Sequence, residues 1–211
     1  MAIALFAPIT ATGSPDVRAR AFAGQGLALA QQTLLFGVPA EKCRPQALSC
    51  AKAALLAQPT LSEAHLAFAL ALKSGSEPGA REAAQSEVEL ALEQDQKASW
   101  CWAELARLLF EQGELPTAQQ AAEIALKLDP NWLFALEIAA ELALRQGEAD
   151  LALKCLEKAG ENYPHCAHIR MTWALALRQI NRQDEADVKR DEALKIANLE
   201  RHRTFLEGLW Q

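Results

Sequence analysis

Residues 99–132 read SWCWAELARLLFEQGELPTAQQAAEIALKLDPNW, and the 34 residues that follow keep the same order of apolar, small and turn-forming side chains. The shared period is carried by four pairs of identical residues: Gly113 and Gly147, Ala118 and Ala152, Ala125 and Ala159, Pro130 and Pro164. A period of this length is typical of stacked helix hairpins, each of which buries its apolar face against its neighbours. The sequence therefore predicts an all-helical repeat array.

Each repeated residue type has a physical role in such an array. Small alanines let two helices approach closely, so that the larger side chains around them interdigitate. Glycine allows the positive φ that a short turn after a helix requires, and proline prevents a helix from running on. The turn position of the next unit holds Asn181, and asparagine is among the few other residues that readily take a left-handed conformation.

The pattern resembles the tetratricopeptide repeat family. In residues 99–132 the resemblance rests on eleven positions: Trp102, Leu105, Ala106, Leu109, Gly113, Ala118, Ala122, Ala125, Leu126, Asp129 and Pro130. It implies an all-α fold, in which antiparallel helix pairs form a right-handed superhelical array with a capping helix at the C-terminus.

The repeats are expected to cover nearly the whole chain. Clear repeats span residues 62–98, 99–132, 133–166 and 167–200, and a degenerate one spans residues 16–61. The first clear repeat is three residues longer than the period, and the surplus falls in the loop-forming run Ser74–Gly79. The degenerate repeat is expected to consist of helices over Asp16–Phe36 and Pro45–Ala57, joined by a long loop over Gly37–Arg44. Residues 1–15 form an apolar tail and residues 201–211 an amphipathic cap.

Composition narrows the class of protein. A net charge of -6 and the absence of a long Lys/Arg block argue against nucleic acid as a partner. The chain has no apolar run of about 18 residues, so no membrane span is expected. Five cysteines lie at no recognised disulfide or ligand spacing, which suits a reducing compartment. The apolar run Met1–Pro8 lacks a basic region, so a cytoplasmic location is expected, with the periplasm as the alternative if a signal was removed.

The sequence predicts no catalytic site, cofactor or metal. It contains no Gly-rich phosphate loop, no serine nucleophile elbow, and no Cys/His pair with a positioned acid. The most metal-like run is His165-Cys166-Ala167-His168, which has no evident fourth ligand. The chain is therefore interpreted as a non-catalytic protein.

The predicted partner site is the concave groove that, in the family, the first helix of each repeat lines. Transferred to this chain, the groove residues are Leu66, Leu70, Trp100, Arg107, Phe110, Phe134, Glu137, Glu141, Leu144, Arg145, Met171 and Arg178. The family's clamp for a C-terminal carboxylate is absent, because Leu66 and Leu70 stand where its first cation and asparagine are expected. Aromatic anchors bordered by arginines are typical of interface hot spots. This composition predicts an amphipathic helix or an extended apolar peptide with charges of both signs as the ligand. The alternative is that Trp100 and Phe134 partly pack against neighbouring helices or against the chain's own N-terminus.

Three functions follow from this interpretation. The first is a scaffold or adaptor, of which a chaperone is one kind, that binds a protein or peptide partner in the groove. The second is the interaction or sensing module of a larger bacterial signalling or regulatory protein, and the third is an enzyme whose site is not recognisable in the sequence. The sequence also leaves open whether the chain forms a homo-oligomer and whether its apolar tail docks on the first repeat.

Overall fold

In the computed structural model, residues 13–197 and 200–211 are described, and these ranges hold eleven helices and no strand. The helices are α1, Pro15–Phe36; α2, Ala40–Ala57; α3, Ser62–Lys73; α4, Ala80–Gln94; α5, Ser99–Glu111; α6, Leu115–Leu128; α7, Leu133–Gln146; α8, Ala149–Asn162; α9, Ala167–Gln179; α10, Gln183–Ile196; and α11, Glu200–Trp210. The predicted all-α fold is confirmed. Most of the predicted apolar tail, residues 1–12, lies outside the described residues.

The turns between paired helices have the backbone conformation that the sequence predicts. Gly113 has φ of 84° and Gly147 of 79°, and each lies between the two helices of a hairpin. Asn181 occupies the same position between α9 and α10, with φ of 61°. The longer loop Ser74–Gly79 joins α3 to α4, as predicted, and ends at Gly79 with φ of 79°. These left-handed residues reverse the chain within a few residues, which allows the two helices of each pair to pack side by side.

Two compact units make up the chain, one ending at Cys101 and the other beginning at Trp102, within α5. In the first unit, α1 packs on α2 and α3, and α3 packs on α4. One core cluster of this unit is built largely from alanines: Ala19, Ala23, Ala54, Leu61 and Ala64. Because these side chains are small, the helix backbones lie close together.

The connection between α1 and α2 is shorter than predicted. The sequence predicts a loop over Gly37–Arg44 and a helix that starts at Pro45. In the structure α2 begins at Ala40, and Pro45 lies inside the helix. Gly37 takes a left-handed conformation with φ of 60°, so only three residues are needed to connect the helices, and the added first turn buries Cys43.

The helix extension also places Arg44 where it binds the long loop. Its Nη1 and Nη2 atoms donate to the two carboxylate oxygens of Glu77 at 2.7 and 2.8 Å, and its Nε donates to the carbonyl oxygen of Ala71 at 3.0 Å. The hydrogen bond from Arg44 holds the pKa of Glu77 below its usual value. This bidentate ion pair fixes the inserted loop against α2.

The second unit contains three helix pairs, α5 with α6, α7 with α8, and α9 with α10, followed by α11. Its core clusters join neighbouring pairs: Leu136 of α7, Leu156 of α8 and Ile169 of α9 are buried in one of them. The C-terminal helix α11 buries Leu206 against Met171 and Ala193. The amphipathic cap predicted from the sequence is therefore a helix that packs on α9 and α10.

Candidate functional site

A buried set of polar side chains connects the first helices of the three pairs in the second unit. Arg107 of α5 donates from Nη2 to Glu137 Oε2 at 3.1 Å and from Nη1 to Glu141 Oε1 at 3.2 Å. On the other side of α7, His168 Nε2 of α9 lies 2.9 Å from Glu137 Oε1, and the Thr172 hydroxyl donates to the same oxygen at 2.9 Å. We call these five residues the ion-pair network.

The spacing of the repeat explains why these residues meet. Arg107 and Glu141 lie one period apart, and therefore at the same level of adjacent first helices. Glu137 lies one helical turn before Glu141, so its carboxylate shares their face of α7. His168 and Thr172 are 31 and 35 residues after Glu137, which brings them to either side of its level on the next first helix.

The network lies largely out of solvent. Glu137 is 3% exposed, and the side chains of Arg107 and His168 are 15% and 12% exposed. Glu141 is more accessible, with 29% of its side chain exposed. A carboxylate as buried as Glu137 is stable only when charged and hydrogen-bonding partners surround it, and here three side chains do so.

Charge pairing governs the pKa values of Glu137 and His168. Burial by itself would raise the pKa of Glu137, but His168, Arg107 and the Thr172 hydroxyl favour the carboxylate and hold its pKa well below the usual value. Burial would likewise lower the pKa of His168, but the charge of Glu137 and its hydrogen bond outweigh burial and raise it. The structure therefore favours an ionised Glu137 facing a protonated His168.

Glu141 has the opposite environment. Burial raises its pKa, and the neighbouring charge of Glu137 raises it further, while Arg107 acts against both. Since Arg107 and a protonated His168 offset the two carboxylates, the network presents little net charge to a ligand. His168 Nδ1 is buried and forms no hydrogen bond within the described part of the chain.

We expect His168 to make stability depend on pH. Its folded pKa is raised above its ordinary value of 6.5, so its contribution is complete below pH 6.5 and is lost as the pH rises through the folded pKa. Glu137 acts on the acid side: its contribution is present above its ordinary pKa of 4.5 and is lost as the pH falls through its lowered folded pKa. Melting temperatures measured from about pH 5 to pH 9 should therefore fall on the alkaline side of pH 6.5.

The variant His168→Gln provides the control for this pH dependence. Glutamine can still donate to Glu137, but it does not titrate, so the decline above pH 6.5 should be smaller than in the parent chain. Equal slopes in the two proteins would show that the pH dependence has another origin.

Beside the network, two predicted groove residues form a stack. The guanidinium carbon of Arg145 lies 5.3 Å from the centre of the Phe110 ring, a cation–π arrangement, and the Arg145 side chain is exposed. Phe110 is half-buried and packs against the core cluster of α5, α6 and α7. Arg145 forms no ion pair among the described residues, so its charge remains available to a ligand.

Three other predicted groove residues are half-buried. Phe134 is half-buried against core clusters of the second unit, and its ring lies edge-on to Trp132 at a centroid distance of 5.8 Å. Leu144 is also half-buried against the core. Trp100, which lies in the first unit, is half-buried and its Nε1 forms no hydrogen bond within the described residues. For Phe134, packing within the protein thus accounts for part of the ring surface, as the alternative interpretation expects.

Two predicted groove residues belong to the core instead. Met171 has no exposed surface, and it packs with Leu206 of α11. Leu66 is 5% exposed, while Leu70, one turn later on α3, is half-buried. The family positions do not indicate how deeply a side chain is buried, and Met171 is covered by α11. Neither Met171 nor Leu66 offers a surface to a ligand.

Arg178 also differs from its predicted role as a free groove cation. Its guanidinium carbon lies 4.5 Å from the centre of the Trp210 ring, and its Nη1 donates to the Trp210 carbonyl oxygen. Arg190 of α10 stacks on the same ring at 5.1 Å. Arg178 therefore holds the end of α11.

Sequence reasoning misses Thr172 and does not connect His168 with Glu137. The family register gives His168 a groove position, and the sequence also places it in a metal-like run with Cys166; nothing adjacent to Thr172 marks it as a site residue. The period gives a signal that could find both, because a polar residue about 34 positions after Glu137 is expected on the adjacent first helix at a similar level. In the described ranges, no group of three or more His, Cys, Asp or Glu side chains has an arrangement that could hold a metal ion.

Two further features bear on the class of protein. All five cysteines are free thiols, and burial raises the pKa of Cys50, Cys155 and Cys166. Raised pKa values keep these thiols protonated and weakly nucleophilic. Among the helices of the described residues, none combines the length and apolar character needed to cross a membrane.

Known proteins with similar structures share the helical repeat architecture. TTC0263, a thermophilic tetratricopeptide repeat protein of Thermus thermophilus, aligns with a TM-score of 0.70 and 20% identity over 89% of this chain and 98% of its own. PilF of Pseudomonas aeruginosa aligns with a TM-score of 0.64 and 20% identity over 91% of this chain and 82% of its own. YrrB, described as a tetratricopeptide repeat protein with an unusual peptide-binding site, gives a TM-score of 0.52 and 16% identity over 96% of this chain and 97% of its own.

These structural similarities show the fold alone. No family model and no curated protein sequence matches the chain. The architecture is that of tetratricopeptide repeat proteins, in agreement with the resemblance found in the sequence.

Proposed function

We propose that this chain, which has the tetratricopeptide repeat fold, is a non-catalytic scaffold that binds a segment of a partner protein along α5 and α7 of its second unit. The binding surface consists of Phe110, Leu144 and Arg145, beside the ion-pair network. The observation that carries the proposal is the exposed Arg145, stacked on Phe110 without a carboxylate partner in the described part of the chain. The peptide-binding site of YrrB, a protein of the same fold, is consistent with this role.

The electrostatics of the surface indicate the chemistry of the ligand. Arg107 is already bound to Glu137 and Glu141, so it contributes little free charge. Arg145 is therefore the cation that a ligand would meet beside the half-buried faces of Phe110 and Leu144. A helix or extended peptide with an apolar side chain next to an aspartate or glutamate complements this arrangement.

Charge reversal at Arg145 tests the proposal without disturbing the core. Because the side chain is exposed, Arg145→Glu should leave helicity and melting temperature nearly unchanged, while it places a repelling charge beside the acidic ligand. We expect the affinity for the partner to fall by about tenfold, corresponding to about 1.4 kcal/mol. Tagged parent and variant chains would be compared by affinity purification from the source cells with quantitative mass spectrometry, followed by titration with the purified partner.

Lys195→Glu is the matched control, because it makes the same change of charge at an exposed position of α10. The control should retain every partner that Arg145→Glu loses. Equal losses in the two variants would indicate a general effect of net charge, and full retention by Arg145→Glu would contradict the proposed surface.

A further inference from the structure

A second surface of the same unit contains an open apolar slot between α6, α7 and α8. The slot has a volume of about 230 Å³. Its floor includes the small residues Ala122, Ala139 and Ala143, and the side chain of Leu151, 48% exposed, stands at its edge. This volume lies below the range of about 300–1,000 Å³ that is usual for pockets that bind drug-sized ligands, and it suits a single side chain better than a small molecule.

The slot is formed by residues that differ from their counterparts elsewhere in the repeat. One period earlier, the positions of Ala139 and Ala143 hold Leu105 and Leu109, and one period later they hold Trp173 and Leu177. Because α7 has alanines at both positions, the space that the larger side chains would fill is left open. Exposed apolar side chains at the rim of such a depression are typical of sites that accept an apolar anchor.

A related cavity one period later shows what distinguishes the slot. Seven of its lining positions follow those of the slot by 34 residues, and its volume is about 350 Å³. Both basic residues that line it, however, are occupied within the protein: Arg182 donates to both carboxylate oxygens of Glu185 at 2.6 Å, and Lys189 lies 4.4 Å from the centre of the Trp173 ring. The equivalents of these charged residues in the slot are Glu148, Leu151 and Cys155.

The rim of the slot carries negative charge that no basic lining residue offsets. Glu123 and Glu148 line it, both are exposed, and no lysine or arginine is among the lining residues. Glu123 accepts a hydrogen bond from Gln119 at 3.0 Å, but neither carboxylate forms an ion pair within the described part of the chain. An apolar floor below two unpaired carboxylates is complementary to an apolar side chain flanked by cations.

We propose that the slot is a second docking site, which takes one leucine-, methionine- or phenylalanine-sized side chain of a partner segment whose neighbouring Lys or Arg residues pair with Glu123 and Glu148. The site uses Ala139 and Ala143 of α7, whereas the surface proposed above uses Leu144 and Arg145, and the two ligands have opposite charge. The second docking site therefore does not depend on the first.

Charge also argues against two other occupants. Residues 1–12 of this chain are apolar but contain no lysine or arginine, so they leave both carboxylates unpaired. A second copy carries the same net charge of -6, which opposes its association with an acidic rim. A cationic segment of another protein satisfies the apolar floor and the carboxylates together.

Selection from a displayed library of random dodecapeptides tests the proposal. The library is selected on the full chain and depleted on the Leu151→Lys variant, whose added positive charge offsets Glu123 and Glu148 and repels a cationic peptide. We expect the enriched peptides to share an apolar residue flanked by Lys or Arg. An acidic consensus, or no enrichment, would overturn the proposal.

Variants of the slot then locate the bound peptide. Ala139→Leu, which reproduces the residue type of Leu105, and Leu151→Lys should each weaken binding of the enriched peptide by at least about tenfold, or about 1.4 kcal/mol. The double variant Glu123→Gln/Glu148→Gln should weaken binding and flatten its dependence on salt concentration. Circular dichroism checks that each variant is folded, and Leu151→Lys changes an exposed side chain that folding does not require to be apolar.

The Arg145→Glu variant separates this site from the first one. It should leave the affinity of the cationic peptide unchanged, and loss of binding in this variant would place the peptide on the other surface and overturn the slot assignment. Unchanged affinity in both Ala139→Leu and Leu151→Lys would do the same. Light scattering tests the remaining occupants: a dimer that Leu151→Lys dissociates would identify a second copy and overturn the proposal, and loss of that dimer on deletion of residues 1–12 would identify the tail, with the same consequence.

Discussion

Replacing Glu137 with alanine should lower the free energy of unfolding by about 3–5 kcal/mol, the range found when one partner of a buried ion pair is removed. Glu137 is 3% exposed, and its carboxylate is bound by Arg107, His168 and Thr172. Its removal leaves two cationic groups in a poorly solvated site without their main counterion. Denaturation by urea, followed by circular dichroism, measures the change.

Glu141→Ala is the matched control for this prediction. Glu141 lies one helical turn away and pairs with Arg107, and its side chain is 29% exposed, so its loss should cost no more than about 1 kcal/mol. The comparison separates burial from charge, because both variants remove one carboxylate from α7. A similar small effect for both variants would contradict the role of Glu137 as the centre of the network.

A triple replacement distinguishes stability from specificity. If Glu137, Arg107 and His168 are replaced together by leucine, methionine and phenylalanine, no charge is left unpaired at the centre of the network, and the protein should be more stable than Glu137→Ala. The network would then be needed less for stability than for fixing the relative positions of α5, α7 and α9. That positioning bears directly on the proposed surface, because Phe110 and Arg145 lie on two of these helices.

The repeat pattern predicts the fold well because its determinants are local and recur at one period. Gly147 and Asn181 take left-handed conformations in their turns, as their residue types and positions indicate. A left-handed turn depends on the backbone freedom of one or two residues, which the sequence shows directly. The predicted start of α2 at Pro45 is wrong, because the burial gained by a longer helix outweighs the one hydrogen bond that a proline inside it removes.

The site is harder to predict because it depends on how helices approach one another. The family register assigns Met171 and Arg178 to the groove, but both of them pack against α11. The residues next to His168 in the sequence do not reveal its partner in the fold, which is Glu137, 31 residues earlier. Packing depth and the choice among nearby partners are set by tertiary contacts, which a one-dimensional pattern does not contain.

The same tertiary contacts make the C-terminal helix sensitive to a single substitution. Leu206 is fully buried against α9 and α10, so Leu206→Ala should cost about 2–5 kcal/mol through lost apolar burial and the cavity that remains. Leu209→Ala on the same helix is the control, because Leu209 is 38% exposed and should change stability by much less. Urea denaturation measures both variants.

Because stability in a repeat array is largely a sum over neighbouring units, the damage from Leu206→Ala should be concentrated at the end of the chain. Amide hydrogen exchange should therefore accelerate most in α9, α10 and α11, with smaller changes in α5 and α6. Loss of the α11 contacts would also separate Trp210 from Arg178 and expose Met171. The family pattern assigns Arg178 and Met171 to the groove. Uniform acceleration across the second unit would instead show that α11 stabilises the whole unit cooperatively, and that its position cannot change without unfolding the proposed binding surface.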